Sequence, residues 1–259
     1  MTKEAPSVHL VVPCYRESAR IGGFLLELCR GMTDLGGVKI QVVEDGSDAE
    51  EAALMSNVVD TLRADFPCLL PLNALPGNLG KGGAVYAGWA DHGGAEWLGF
   101  VDADGACSAN EVARLISQLP NPCPVPSAFF ASRIKMLGRK VERLLKRHLV
   151  GRVYATLVSE LLDIPVYDSQ CGLKLVPRMA YERVADRLEI TGFAFDVELM
   201  VALLDNGCRI EEVPIDWSEV PGGKVKLFSD SWRMARDVWR VRRKRTAGKF
   251  APLGDLSLR

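Results

Sequence analysis

An acidic pair ends an apolar segment of this sequence. Residues 97–101 (Trp-Leu-Gly-Phe-Val) carry no charged side chain, and Asp102 and Asp104 follow them two positions apart. A short uninterrupted apolar run predicts a strand buried on both faces, and side chains two residues apart on a strand point the same way. Two such carboxylates repel one another unless a cation lies between them. They suit Mg²⁺ or Mn²⁺ bound to substrate phosphates, although a solvated strand end or a helix cap has the same pattern.

A glycine-rich turn precedes the acidic pair. Residues 78–83 read Asn-Leu-Gly-Lys-Gly-Gly and open a helical segment. The backbone N–H groups and the dipole at a helix N-terminus favour a bound anion, and Lys81 adds a mobile positive charge. The spacing matches neither the Walker loop nor the G-x-G-x-x-G turn, so it disfavours P-loop and dinucleotide-binding enzymes. A flexible turn without a ligand is the alternative interpretation.

Polar residues also follow the first two predicted strands. Asp45 comes directly after the second strand, where a carboxylate accepts an N–H from a nucleotide base or caps the next helix. Tyr15 and Glu17 come just after Pro13, and we expect them to stack on or bind a nucleoside. Glu17 is equally suited to pairing with the dipole of the helix that follows it.

Two arginines in the second half of the chain are candidates for a second anion site. Arg133 follows the strand predicted at 127–132, and Arg147 lies on the amphipathic helix predicted at 137–162. We expect their guanidinium groups to converge. The other basic residues of that helix are expected simply to face solvent.

The segment 231–245 is strongly basic. It carries seven lysines and arginines together with Trp232 and Trp239, and Asp237 is its one acidic residue. A basic helix with tryptophans suits an anionic membrane surface, with the aromatic rings at the depth of the headgroups. The alternative is a solvated helix that packs its tryptophans on the core.

The elements that position these residues alternate between strands and helices. This alternation predicts a largely parallel sheet covered on both faces, whose ligands bind outside the carboxyl ends of the strands. The acidic and glycine-rich turns all fall at those ends. We interpret residues 1–245 as one α/β domain and 246–259 as a C-terminal tail. Strands are predicted at 8–13, 38–43, 69–72, 97–101, 127–132, 171–176 and 209–217, and helices at 18–32, 50–64, from the glycine turn to 92, and at 110–118, 137–162, 195–204 and 231–245.

Composition restricts the class of protein. The 259 residues are 48% hydrophobic and 25% charged, with a formal net charge of −1, which describes a globular protein and gives no reason to expect nucleic-acid binding. The seven cysteines form no Cys-x-x-Cys pair, so we expect reduced thiols, and the three scattered histidines argue against a zinc site. No apolar run is long enough to cross a bilayer and the N-terminus lacks a signal-peptide core, so we expect a cytoplasmic protein.

Eight short motifs occur in order along the chain. They are Val-Val-Pro-Cys-Tyr-Arg-Glu (11–17), Val-Val-Glu-Asp-Gly-Ser (42–47), Asn-Leu-Gly-Lys-Gly-Gly-Ala-Val (78–85), Asp-Ala-Asp-Gly-Ala (102–106), Ala-Ser-Arg (131–133), Asp-Ser-Gln-Cys-Gly-Leu-Lys-Leu (168–175), Ala-Phe-Asp-Val-Glu-Leu (194–199) and Glu-Val-Pro-Ile-Asp-Trp (212–217). Together they resemble the family 2 glycosyltransferases of the GT-A fold. Within that family they are most similar to the dolichyl-phosphate β-glucosyltransferases and other polyprenyl-phosphate hexosyltransferases.

This resemblance implies a Rossmann-like three-layer α/β/α sandwich around a mostly parallel mixed sheet. It also implies a nucleotide-sugar donor, a polyprenyl phosphate acceptor and a divalent metal. Asp102 and Asp104 would bind the metal on the donor diphosphate. The nucleotide-binding residues that it implies are Pro13, Tyr15, Glu17, Asp45, Lys81 and Asp102.

The resemblance extends to the acceptor. By similarity to the mannosyltransferases, Arg133 and Arg147 would hold the phosphate of the lipid. The chain departs from the family at Glu44, where Asp is usual, and at Gly151, where the mannosyltransferases have a serine. We also expect it to have no counterpart of the N-terminal membrane anchor of the eukaryotic glucosyltransferases. Membrane contact is therefore expected from the basic helices, peripherally and at the inner face of the membrane, or from a partner.

The resulting hypothesis is metal-dependent, inverting transfer of a hexose, with UDP-glucose as the expected donor, to a polyprenyl monophosphate. A phosphate monoester has a second pKa of about 6, so at neutral pH it needs positioning rather than a strong base. The metal and Lys81 would neutralise the departing diphosphate. Gln170 and Asp196 are assigned to the same site.

Three other functions are weighed against this hypothesis. An enzyme of the same fold with a soluble hydroxyl acceptor would need a base, for which Asp196 or Glu198 could serve. A catalytically silent subunit of a membrane complex is the second, and the intact acidic pair and Lys81 argue against it. A sugar-1-phosphate nucleotidyltransferase is disfavoured, because residues 13–16 (Pro-Cys-Tyr-Arg) are not a glycine-rich loop.

Overall fold

The strands of the protein form one large and one small sheet. The structure is a computed structural model that describes residues 6–121, 123, 125–142, 145–220 and 227–251, with side chains described for all of these except 145–150 and 227–231. In these residues the strands are β1 (Val8–Cys14), β2 (Val38–Glu44), β3 (Asn73–Ala74), β4 (Trp97–Val101), β5 (Ser127–Ser132), β6 (Val141–Glu142), β7 (Leu173–Pro177), β8 (Arg209–Pro214) and β9 (Trp217–Ser218).

Helices connect most of the strands. The second and fourth helices begin with a side-chain cap, from Asp48 and Ser108 respectively, each of which accepts a hydrogen bond from the backbone N–H three residues on. The helices are α1 (Ser18–Leu35), α2 (Ala49–Arg63), α3 (Lys81–Ala90), α4 (Ala109–Ser117), α5 (Leu145–Leu162), α6 (Arg178–Glu182), α7 (Phe195–Asp205) and α8 (Leu227–Thr246).

The large sheet has seven strands in the order β3-β2-β1-β4-β7-β5-β8. Its strands run parallel except β7, which pairs antiparallel with β4 and with β5. The carboxyl ends of β1, β2, β4 and β5 therefore lie at one edge of the sheet, and β7 begins at that same edge. The predicted mostly parallel, mixed sheet is confirmed.

Both faces of the sheet are buried, as the alternation along β1 shows. Leu10 and Val12 are fully buried in a cluster with residues of α1, α2 and α4. Val11, between them, is buried on the opposite side with residues of α3, α5, α7 and α8. Side chains of a strand alternate between faces, so this division shows three layers, α/β/α.

The helix predicted at 137–162 is shorter than expected, because it begins at Leu145. Gly138 has a φ of +83° and lies in a turn closed by the N–H of Arg139, which donates to the carbonyl of Met136 at 3.2 Å. β6 then pairs with β9. A glycine in this conformation ends any helical path, so the basic pattern of 137–142 belongs to a loop and a short strand.

Smaller differences concern the other predicted elements. The strand expected at 69–72 is a single bridge between Leu69 and Ile40, followed by β3. The strand expected at 209–217 is broken into β8 and β9. The predicted tail begins inside the domain, since Phe250 is fully buried and its carbonyl accepts a hydrogen bond from Arg187 at 2.8 Å. Residues 252–259 of that tail lie outside the described residues.

Candidate active site

The two aspartates lie just beyond the end of β4. The strand ends at Val101, so the alternation of side chains along a strand does not orient them, contrary to the sequence-based argument. The N–H of Asp102 donates to the carbonyl of Gly172 at 2.8 Å, and Asp104 accepts a hydrogen bond from the N–H of Ala106 at 3.0 Å. Burial and the negative charge of Asp102 both raise the pKa of Asp104. The two carboxylates are therefore close enough to repel one another.

Gly172 lies against the Asp102 side chain, immediately before β7. A Cβ at this position would be 2.2 Å from Oδ2 and 2.5 Å from Cγ of Asp102. No side chain larger than hydrogen fits without moving the carboxylate. The antiparallel strand β7 thus fixes where the first acidic side chain can lie.

We expect the Gly172→Ala variant to lose about 100-fold in kcat, since a displacement of about 1 Å at a reacting centre has that effect. Thermal unfolding should change little, because the atoms displaced belong to one partly exposed side chain. Gly23→Ala is the matched control, because a Cβ there meets nothing within 4 Å. Steady-state kinetics of both proteins test this, and full activity of Gly172→Ala would contradict the placement of Asp102.

Lys81 is paired with the acidic turn. It is the first residue of α3, and its Nζ lies 2.6 Å from Oδ1 of Asp102. Burial would lower the pKa of Lys81, but the carboxylates of Asp102 and Asp196 raise it more. Lys81 is therefore a fixed ammonium rather than the mobile charge predicted from the sequence.

Asp45 organises the glycine turn. One carboxylate oxygen accepts the N–H of Leu79 at 2.7 Å and the other accepts the N–H of Gly80 at 2.9 Å. Asp48, not Asp45, caps α2. The capping alternative for Asp45 is thus wrong, and two N–H groups of the glycine turn are held by its carboxylate. Because these two N–H groups already donate to Asp45, they are not available for the anion that the sequence predicted here.

The other predicted nucleotide-binding residues line the end of β1. Pro13 lies in the strand, and Tyr15, in the turn after it, is about one-third exposed with the guanidinium of Arg16 5.4 Å from its ring centroid. Glu17 is mostly buried and accepts two hydrogen bonds from Arg20, both at 2.7 Å. Nucleotide binding by these residues stays a prediction.

A second ion pair is buried behind the turn, and sequence reasoning gave its lysine no role. Lys174 is fully buried on β7, and its Nζ lies 3.2 Å from Oδ2 of Asp196, in the first turn of α7. The same Nζ donates to the carbonyl of Cys171 at 2.9 Å and lies 5.0 Å from the ring centroid of Phe130. A single lysine in the otherwise apolar strand segment 173–177 was the signal available.

Asp196 is only 2% exposed. Burial raises its pKa, although the positive charges of Lys174 and Lys81 act to lower it. Its Oδ1 has no hydrogen-bond partner among the described residues.

Glu198 is fully buried. Its oxygens accept hydrogen bonds from the N–H groups of Glu189 and Ile190 and from Nζ of Lys244, the last at 2.7 Å. Glu198 therefore anchors α8 and is not available as a base, contrary to the soluble-acceptor alternative.

Arg133 does not present a free guanidinium. Its Nε and Nη2 each donate to Asp168 at 2.6 Å, and its backbone N–H donates to the same carboxylate at 3.0 Å. The guanidinium also lies 5.1 Å from the ring centroid of Trp217. Arg147 lies on α5 with its side chain outside the described residues, so its convergence with Arg133 stays a prediction.

A cleft lies beside Arg133. Within it the guanidinium of Arg152 lies 4.2 Å from the ring centroid of Tyr167, and the buried hydroxyls of Tyr154 and Ser169 have no hydrogen-bond partner among the described residues. Sequence reasoning missed these four residues, because helical periodicity does not show which positions face a cleft. The lining residues are Arg133, Gly151, Arg152, Tyr154, Ala155, Tyr167, Asp168, Ser169 and Gln170.

Gln170, predicted to be catalytic, connects this cleft to the start of α7. Its Nε2 donates to the carbonyl of Phe193 at 3.2 Å. The residues brought together at this edge of the sheet are thus the acidic pair, Lys81, Gln170 and the buried Lys174–Asp196 pair.

The C-terminal helix α8 packs on the domain through one face. Val238 and Val241 are fully buried, whereas Trp232 is 77% and Trp239 53% exposed. The alternative in which these tryptophans pack on the core is therefore wrong. Most of the basic residues of this helix are exposed, although Lys244 is buried against Glu198. Binding of a membrane by this face stays a prediction.

The described part of the chain contains no group of three or more His, Cys, Asp or Glu side chains placed to hold a metal ion. None of its helices is both long and apolar enough to cross a lipid bilayer.

Comparison with known proteins gives the family. The family model described as "Glycosyl transferase family 2" matches residues 9–184. The dolichyl-phosphate beta-glucosyltransferase of Saccharomyces cerevisiae is 30% identical over 246 residues, which cover 90% of this chain and 73% of the yeast protein. The enzyme of the same name from Dictyostelium discoideum is 28% identical, with 90% and 73% covered.

Among solved structures, glucosyl-3-phosphoglycerate synthase from Mycobacterium tuberculosis, in complex with Mn²⁺, UDP and glucosyl-3-phosphoglycerate, superimposes with a TM-score of 0.63 at 14% identity. The match covers 98% of this chain and 83% of the mycobacterial one, and it confirms the GT-A fold. The family match and the yeast relative show that the chain belongs to glycosyl transferase family 2 and is a nucleotide-sugar glycosyltransferase.

Proposed function

We propose that the protein transfers glucose from UDP-glucose to a polyprenyl monophosphate, with inversion at the anomeric carbon. The observation that carries the proposal is the acidic turn at the end of β4, with Lys81 at 2.6 Å from Asp102, in a chain that is similar over 90% of its length to dolichyl-phosphate β-glucosyltransferases. An acidic turn beside a fixed ammonium suits a metal-bound diphosphate leaving group.

Asp102 and Asp104 are the residues that would hold a divalent metal. Their oxygens are hard ligands, and the pKa of Asp104 is raised by burial and by Asp102, so a cation between them would relieve the repulsion. With two protein ligands, the remaining positions are left for diphosphate oxygens and water. When bound, the metal supplies positive charge to the leaving diphosphate. The mycobacterial synthase of the same fold binds Mn²⁺ together with UDP.

Other residues of the chain would bind the diphosphate and the nucleoside of the donor. Lys81, held by Asp102, adds a second positive charge beside the diphosphate. The nucleoside would lie over the ends of β1 and β2, against Pro13, Tyr15 and Glu17, and Asp45 holds the adjoining glycine turn in place. Asp196 is too deeply buried to contact substrate, so we assign it a positioning role through Lys174.

The acceptor phosphate would lie in the cleft beside Arg133. Arg133 is fixed by Asp168, and Arg152 lines the same cleft, so two guanidinium groups supply positive charge for a phosphate. One acceptor oxygen forms the new bond to the anomeric carbon as the bond to the diphosphate breaks, which inverts the configuration. Because the phosphate is already ionised at neutral pH, this acceptor needs no general base from the protein.

Peripheral attachment to the inner face of a membrane is part of the proposal. The exposed Trp232 and Trp239 and the basic residues of α8 suit an anionic lipid surface. Such attachment would bring the enzyme to a lipid acceptor.

A screen of radiolabelled donors tests the function. Purified protein with Mn²⁺ or Mg²⁺ is given UDP-glucose, UDP-galactose or GDP-mannose, with either undecaprenyl phosphate or a water-soluble hydroxyl acceptor such as glycerate. We expect label in the lipid fraction from UDP-glucose. Label only in the soluble acceptor, or none with any donor, would overturn the proposed acceptor or the catalytic role respectively.

A further inference from the structure

A turn near the acceptor cleft holds two apolar side chains out in solvent. Leu137 is 99% exposed and Met136 51% exposed. They occupy the first two positions of the turn that Arg139 closes, with Gly138 at a φ of +83° in the third. Positive φ at this position is the signature of a type II turn, which projects its second residue away from the chain.

We call Met136 and Leu137 the apolar tip. The residues that follow the tip are bound to the domain. The N–H of Lys140 donates to Asp216 at 2.8 Å, and its carbonyl accepts the N–H of Trp217 at 2.9 Å. The guanidinium of Arg139 lies 3.4 Å from a carboxylate oxygen of Glu111. Since hydrogen bonds and an ion pair fix the residues that follow the tip, and the Arg139 N–H closes the turn itself, the exposure of the apolar tip is built into the fold.

The charges around the apolar tip are mostly positive. Lys135 precedes it and Lys140 follows it, both exposed, and Lys140 lies 3.1 Å from the equally exposed Glu142. Two apolar side chains between lysines match a membrane interface, where the apolar atoms enter the acyl region and the ammonium groups stay at the anionic headgroups.

The apolar tip is also next to the proposed acceptor site. It lies in the segment that leaves β5 at Arg133, which lines the cleft, and only two residues separate Arg133 from Met136. A lipid acceptor has its phosphate at the headgroups and its chain in the acyl region. A tip that enters the bilayer here would set the cleft at the level of the phosphate.

We propose that Met136 and Leu137 insert into an anionic lipid surface and so place the acceptor cleft at headgroup depth. This inference rests on the proposed lipid acceptor, and it assigns membrane contact to a loop that lies outside the two basic helices. The partner is a bilayer surface, recognised by apolar insertion and by charge.

Flotation with vesicles of phosphatidylcholine and phosphatidylglycerol tests it. We expect Met136→Ser/Leu137→Ser to lower vesicle partitioning by at least about tenfold, at high and low salt alike, because each apolar side chain withdrawn from lipid has a large effect. Lys135→Gln should lower vesicle partitioning about fivefold, and only at low salt and with anionic vesicles. Leu54→Ser is the matched control, since Leu54 is 50% exposed on α2.

A second readout separates this inference from the proposed function. The tip variant should keep wild-type transfer to a short, water-soluble prenyl phosphate and lose about tenfold with undecaprenyl phosphate in vesicles. Equal vesicle binding by the tip variant and the wild type would overturn the inference. It would also be overturned if the wild type formed a dimer in solution and the tip variant did not. Absence of transfer to either phosphate by the wild type would instead refute the proposed function.

Discussion

Asp104→Asn should lower the rate of sugar transfer by about 10³-fold or more, equivalent to about 4 kcal/mol of transition-state stabilisation. The substitution keeps the size of the side chain and removes one of the two charges available to a divalent metal. Initial rates with UDP-glucose and polyprenyl phosphate measure the effect. Asp34→Asn, the same change on the exposed surface of α1, should have no effect.

The stability of Asp104→Asn distinguishes a functional loss from misfolding. Burial and the charge of Asp102 raise the pKa of Asp104 in the folded protein, so both disfavour its ionised form. Without metal, the variant should therefore be at least as stable at pH 7 as the wild type in chemical denaturation. An inactive variant that is also strongly destabilised would contradict this interpretation, and so would an active one.

Lys174→Met should destabilise the fold by about 3–5 kcal/mol, the effect of removing one partner from a buried ion pair. It removes the ammonium 3.2 Å from the buried carboxylate of Asp196 and leaves only the charge of Lys81 to oppose it, although methionine fills a similar volume. Urea unfolding at pH 7.5 measures the change. Lys39→Met, on an exposed position of β2, should stay within about 0.5 kcal/mol of the wild type.

The pH dependence of this loss has a definite sign. Burial already raises the pKa of Asp196 in the folded state, and removing the charge of Lys174 raises it further. A carboxyl whose pKa is raised by folding stabilises the protein at low pH, and this contribution is lost as the pH rises through the folded-state pKa. The deficit of Lys174→Met should therefore be larger at pH 7.5 than at pH 5.

A double variant completes the test of the buried pair. Lys174→Met/Asp196→Asn removes both charges, so it should recover at least half of the stability that the single variant loses. Additive losses from the two substitutions would show that the two side chains do not interact.

The sequence was sufficient to place the acidic turn, Lys81 and Asp45 at one edge of the sheet. Alternation of strands and helices predicts parallel strands, and parallel strands bring their carboxyl ends together. That reasoning needs no side-chain detail. It correctly grouped residues that are up to 59 positions apart in the chain, from Asp45 to Asp104.

The partners of these residues were beyond sequence reasoning. Gly172 contacts Asp102 because β7 runs antiparallel, and the strand pattern of 171–176 carries no sign of direction. Lys174 meets Asp196 across 22 positions through tertiary packing. Hydrophobic periodicity reports which face of an element is buried, but not which side chain lies opposite.

The predicted start of helix α5 was wrong over residues 137–142 for a local reason. The basic and apolar residues of this segment continue the helical pattern that follows, but Gly138 adopts a positive φ and the backbone of Lys140 bonds to 216–217 instead. Tertiary hydrogen bonds outweighed helix propensity here, and they created the exposed tip at Leu137.

The most direct test of the account is calorimetric titration of UDP into the wild type and Asp104→Asn, each with Mn²⁺ and with EDTA. If the acidic pair holds the metal, Mn²⁺ should tighten UDP binding to the wild type by at least about tenfold, or about 1.4 kcal/mol. In the variant Mn²⁺ should have no such effect. UDP binding that is indifferent to Mn²⁺ in the wild type, or an unchanged effect of Mn²⁺ in Asp104→Asn, would contradict a metal held by the acidic pair.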